Sequence, residues 1–346
     1  MKTTISRQGF VDLLRIIACF LVIVNHTNST IFLSSTPQDL SWYISLTYFF
    51  ISKIAVPIFF MISGYLMLNK TDSWPKAFKR FLRIALVLIS CAVVYDIYFY
   101  FINHTVVSLW DMVKNILLVH KTSPSNALWY LYAYLGILLM MPFLQKMANA
   151  MSKTDYHIFF IFSGFFSGIL PILCHYSDLF AFNDNLYIPL FSGYLMMLFI
   201  GSYFARFNIK KTGKGFVLAI IFFLLMVALN VILTLLEYQK SNTDYLFFDN
   251  RTFLPIVLQS ISAFYMVSFV RPANKILNVI TFIGSCTFGI YLLSDMVIDF
   301  FNPVYIKLSS LINQFVAVII FESLIFLVGL VITAILKKIP FFKKYI

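Results

Sequence analysis

The chain has 346 residues, of which 61% are hydrophobic and only 12% charged, and it carries a formal net charge of +12. That balance excludes both an ordinary soluble domain and a disordered chain, because apolar runs long enough to cross a bilayer recur from end to end. The excess of Lys and Arg is then a matter of membrane topology and of attraction to anionic headgroups, and it calls for no nucleic acid partner.

Ten stretches approach the ~20 residues needed to cross hydrocarbon: 10–29, 43–68, 81–102, 127–145, 157–174, 186–205, 216–236, 251–270, 279–298 and 315–336. They predict an all-α polytopic membrane helix bundle of about ten transmembrane helices, as one domain over residues 1–346. Nineteen of the 26 Lys and Arg fall in connections on the N-terminal side, five fall on the opposite side, and Arg15 and Lys53 lie within spans. Basic residues near span ends are retained in the cytoplasm, so both termini are expected inside. The first run is long, contains Arg15 and lacks a small-residue cleavage site, so it reads as a retained span and not as a signal peptide. Cys19, Cys91, Cys174 and Cys286 all lie in spans, which argues against a disulfide framework or a metal cluster.

The first span, GFVDLLRIIACFLVIVNHTN, holds Arg15 and His26. Eleven residues at about 100° each bring them within about 20° of one another and about 16 Å apart along the axis. An ionisable group inside a bilayer costs on the order of 2.5 to 3.5 kcal/mol unless it is paired or wet, which marks both as functional candidates. Arg15 also lies close enough to the cytoplasmic end to snorkel, with Asp12 as its helical partner, and His26 could hydrogen-bond a neighbouring helix. The residues alone leave both readings open.

In the second span, Pro57 perturbs the helix and Ser63-Gly64 permits close backbone approach. Ser63 is expected to be packing glue, since no acid or His at helical spacing would activate it. Arg80 and Arg83 enter the third span three residues apart on one helical face, where they contribute to the topology signal. The outside connection 103–126 contains LWDMVKNILLVH, whose apolar positions suit an amphipathic helix in the interface. Trp129 and Tyr130 open the fourth span in an aromatic belt that also suits stacking on sugar rings. Three acids remain inside spans, Asp96, Asp295 and Glu322. Pairing is expected for each: Asp96 or Asp295 could orient His26, and Glu322 could pair with Lys53.

VDLLRIIACFLVIVNH resembles the first helix of the integral-membrane acyltransferase-3 family, in which an Arg is followed after ten intervening residues by a His. PIFFMISGYLM at 57–67, FKRFLRI at 78–84, LWYLYAYLGILLMMPFL at 128–144 and TFGIYLL at 287–293 are similar to further motifs of that family, in the same order. The resemblance implies transfer of an acyl group, often acetyl, from cytoplasmic acyl-CoA to a hydroxyl of a cell-envelope saccharide or lipid-linked glycan. It implies His26 as catalytic base, Arg15 on the acyl donor with Asp12 in support, and Arg80 and Arg83 at the nucleotide end of CoA. Trp129, with Tyr130, Asp96 and Asp295, falls on the acceptor side. No bound cofactor and no metal are called for, the expected location is the plasma membrane, and a homo-oligomer is allowed. Ser294 stands where the family often has His, a departure that bears on the acceptor. The rival class is a saccharide or small-solute transporter without acyl transfer, against which stand only 12 glycines and no related halves.

Overall fold

Long apolar runs free of interior breakers become long helices. The structure, a computed structural model, describes residues 2–27, 31, 39–102, 108–182, 191–207, 209–241 and 247–345, and among these it contains helices and no strand. The expected span ends at 28–29 and 186–190 and the loop residues 103–107 lie outside the described residues. The helices are α1 (Lys2–Thr27), α2 (Leu40–Ser52), α3 (Ala55–Met67), α4 (Trp74–Ile102), α5 (Leu109–Leu118), α6 (Trp129–Ala150), α7 (Lys153–Ser163), α8 (Leu170–Tyr176), α9 (Gly193–Arg206), α10 (Gly213–Ser241), α11 (Leu254–Val267), α12 (Asn274–Leu311), α13 (Gln314–Leu336) and α14 (Pro340–Tyr345).

Eight segments of the described residues are long and apolar enough to cross a membrane. The other two expected spans contain α9 and α11, each of 14 residues. At 1.5 Å per residue each covers about 21 Å, short of ~30 Å of hydrocarbon. The second span is broken at Lys53-Ile54 into α2 and α3. The cause is Pro57, whose ring clashes with the carbonyl four residues back, that of Lys53.

The chain divides into two compact units, each discontinuous in sequence. One comprises Met1–Thr71 with Leu144–Gly284, the other Asp72–Phe143 with Ser285–Ile346. In the first, α3 lies along both α1 and α9. The α3–α9 crossing is a backbone contact: a Cβ on Gly64 would stand 1.8 Å from the Leu198 carbonyl oxygen, and one on Gly201 1.8 Å from that of Met61. Ser63 donates to the Phe59 carbonyl at 2.9 Å, as expected for a packing residue. A six-residue π-helical stretch, Gly164–Ile169, joins α7 to α8, and its wide turn lets the Thr252 hydroxyl reach the Ser167 carbonyl at 3.2 Å.

Lys53 is 3% exposed, lies 3.8 Å from the centre of the Phe49 ring, and forms an ion pair with Asp249. The expected Lys53–Glu322 pair is therefore replaced by a partner from the turn before α11, brought in because α2 carries Lys53 beside that turn. In the second unit, Tyr95 of α4 donates to the Leu292 carbonyl of α12, and Gly289 of α12 faces Thr333 of α13.

Gly64→Ala and Gly201→Ala should each destabilise the protein by roughly 1 to 3 kcal/mol or more through overpacking against backbone. Gly136→Ala, with nothing within 4 Å of the new methyl, should be neutral or stabilising by about 0.5 kcal/mol. Thermal unfolding in detergent compares them. Asp249→Asn should cost about 3 kcal/mol by leaving Lys53 buried and charged, and Lys53→Met in the same chain should restore most of it.

Candidate active site

The half-exposed residues of α1 between Gly9 and Thr27 fall into two sets on opposite sides. Leu13, Ile16, Ile17 and Phe20 make an apolar side, while Arg15, Asn25 and His26 make a polar one about 170° round the helix. The stripe predicted from spacing is therefore present, and it includes Asn25, which the sequence reading passed over. Between its ends the stripe is closed: Cys19 is 1% exposed and Val22 5%.

Arg15 donates to Asp12 at 2.8 Å, three residues earlier on the same helix. The Thr281 hydroxyl of α12 also reaches the Asp12 carboxylate. Room for that carboxylate comes from Gly284, where a Cβ would stand 2.7 Å from the Asp12 Cβ. The guanidinium keeps 35% of its side-chain surface exposed against 10% for the carboxylate. The anion is thus spent on holding the cation, and the cation is left able to meet a ligand. Next to His26 in sequence, the side-chain amide oxygen of Asn25 is buried without a hydrogen-bond partner.

Of the residues expected on the acceptor side, the second unit brings Asp295, Trp129 and Tyr130 together. The Ser125 hydroxyl donates to Asp295, and Tyr291, on the same helix, donates to the Ala127 carbonyl at 2.6 Å. Tyr130 meets Tyr291 edge-on at 6.1 Å and stacks on Tyr134 at 5.7 Å, with Trp129 beside it at 6.5 Å. Asp96 is not in this group. Tyr95 and Tyr98 flank it on α4 and turn to α12, so Asp96 points to α5, where it accepts from Asn115 at 2.9 Å. The Ser294 hydroxyl is used within its own helix, donating to the Tyr291 carbonyl.

Arg80 is ion-paired with Asp72, and Arg83 donates to the Tyr345 carbonyl of α14 at 3.1 Å. Two further carboxylates were missed by the sequence reading. Asp299 accepts from Tyr98 at 2.6 Å. Glu237, only 3% exposed, takes His175 and Tyr176 at 2.8 Å each. Both stand one residue past an expected span end, at 298 and 236, so longer helices would have enclosed them. Among the described residues no cluster of His, Cys, Asp and Glu suits a metal ion.

No curated protein and no solved structure matches the chain. The family model described as an acyltransferase domain matches residues 8–337, nearly the whole length, and contains both ends of the α1 stripe and the residues around Asp295. The chain is therefore a multi-pass membrane protein of the acyltransferase-3 family, an acyltransferase by family.

Proposed function

We propose that this acyltransferase moves an acyl group, acetyl in the first place, from acyl-CoA at the cytoplasmic side of the plasma membrane to a hydroxyl of a cell-envelope saccharide or lipid-linked glycan. The observation that supports the reading is the α1 stripe: a guanidinium fixed by its own helical carboxylate toward the N-terminal end of the span, and an imidazole toward the other end, next in sequence to an Asn25 side-chain amide oxygen that is buried without a hydrogen-bond partner.

In this reading the acyl-CoA thioester comes to Arg15, whose fork stays charged and donates in fixed geometry to phosphate or to a polarised carbonyl. Asp12 positions that fork. A sugar hydroxyl is a weak nucleophile, and His26 takes its proton as the oxygen attacks the thioester carbonyl carbon. The C–S bond then breaks, the ester forms, and the proton passes to the departing CoA sulfur. Because Cys19 and Val22 close the stripe, the arm that carries the thioester has to part α1 from its packing to reach His26. Asp295, with Ser125 and the Trp129–Tyr130 rings, offers hydrogen bonds and a stacking surface to the acceptor. Asp96 is a further acceptor contact, through the side that faces α5. Arg83, with Arg80 in support, adds positive charge for the donor's nucleotide. Membrane domain 1–346 acts as one enzyme, both termini inside.

Purified protein in liposomes, given radiolabelled acetyl-CoA and envelope glycan, should form an alkali-labile ester. His26→Ala should lower kcat by about 10²- to 10⁴-fold with the fold intact, the size of a lost general base. Full transfer by His26→Ala would remove the assigned base. Arg15→Lys should keep the charge, lose the fork and raise KM for the donor more than it lowers kcat. Asp12→Asn should do the same more weakly, because it acts through Arg15.

A further inference from the structure

We propose that two short segments flanking the inner end of α1, residues 209–216 and 268–277, form the docking site for the phosphates of the donor's nucleotide. The proposal rests on the acyl-CoA reading above and adds the residues that grip its charged end.

The two segments are laid side by side. Tyr265 donates to the Lys210 carbonyl at 3.0 Å, the Lys211 ammonium reaches the Ser268 carbonyl, and Phe216 packs on Phe269 at 5.3 Å. Both touch the start of α1. The Lys211 ammonium lies 5.5 Å from the centre of the Phe10 ring, and Gly9 fits against Pro272 and Leu277. Arg15 follows Phe10 by five residues, about 7.5 Å along the axis.

Lys210, Lys211, Lys214, Arg271 and Lys275 are all exposed, and neither segment contains an acidic residue. Among the described residues, Lys210, Lys214, Arg271 and Lys275 have no ion pair. Their placement also runs against helix electrostatics. Lys214 and Lys275 sit in the first turns of α10 and α12, where the macrodipole is already positive, and neither turn carries an acid. Cations gathered there repel one another and the helix ends, and a polyanion relieves that repulsion. The nucleotide end of acyl-CoA, with a pyrophosphate and a 3′-phosphate, is such a polyanion, and its pantetheine arm leads the thioester toward Arg15. In the second unit, by contrast, Arg80 and Lys76 share an ion-pair partner, Asp72.

The test compares acetyl-CoA with S-acetylpantetheine, which carries the same thioester without the nucleotide, using the Lys214→Glu/Arg271→Glu double variant in phosphatidylcholine liposomes. KM for acetyl-CoA should rise at least about tenfold, while kcat/KM for S-acetylpantetheine stays within about twofold. Lys275→Gln alone should show a smaller rise in the same direction. An unchanged KM for acetyl-CoA in an active enzyme overturns the proposal, as does an equal loss with both donors, which marks a structural effect. An effect present only when anionic lipid is added assigns the cations to headgroups and also overturns it. If the unaltered protein transfers from neither donor, it is the function proposed above that fails.

Discussion

A guanidinium set into a membrane helix whose neighbours are packed is costly unless it is paired or wet, and here an anion is held against it. That pairing organises the N-terminal half of the α1 span. Asp12 supplies the charge from one turn below, Thr281 gives the carboxylate a further hydrogen bond, and Gly284 gives it space. Because Arg15 is satisfied within its own helix, no other acid has to approach it, and its outer surface stays available. The cationic segments around the start of α1 extend the same positive field beyond the N-terminal end of the span.

The second unit solves a different problem. Asp295, Asp299 and Asp96 take their hydrogen bonds from Ser125, Tyr98 and Asn115, none of them a cation. A carboxylate oxygen can accept more than one hydrogen bond, so side chains held in this way retain acceptor capacity that suits recognition of hydroxyl-rich molecules. Arg15 and the carboxylates Asp96, Asp295 and Asp299 belong to separate units of one chain.

Much of this was legible in the sequence. The α1 stripe followed from the eleven-residue interval between Arg15 and His26, and the Asp12–Arg15 pair from their three-residue spacing. Gly64 beside Ser63 foretold a close approach, realised as the crossing with α9. What stayed hidden depended on where helices end and what lies across from them. The break before α3 needed the clash between Pro57 and the carbonyl of Lys53 to be weighed above the hydropathy of the run. Glu237 and Asp299 lay just past the apolar windows, so they read as loop residues although their helices continue. The partner of Lys53 was not readable, because Asp249 is nearly two hundred residues away and approaches through a turn.

The mutual seating of Gly64 and Gly201 has a mechanical consequence. Two helices in backbone contact have no side-chain cushion between them, so they travel as a single rod, and sliding one along the other would drive carbonyl oxygens into Cα hydrogens. Compliance must then be found on the other flank of α3, where larger side chains can change rotamer. If a substrate arm is to thread past Cys19 and Val22, the element that yields is α1, rocking on a stiff two-helix keel.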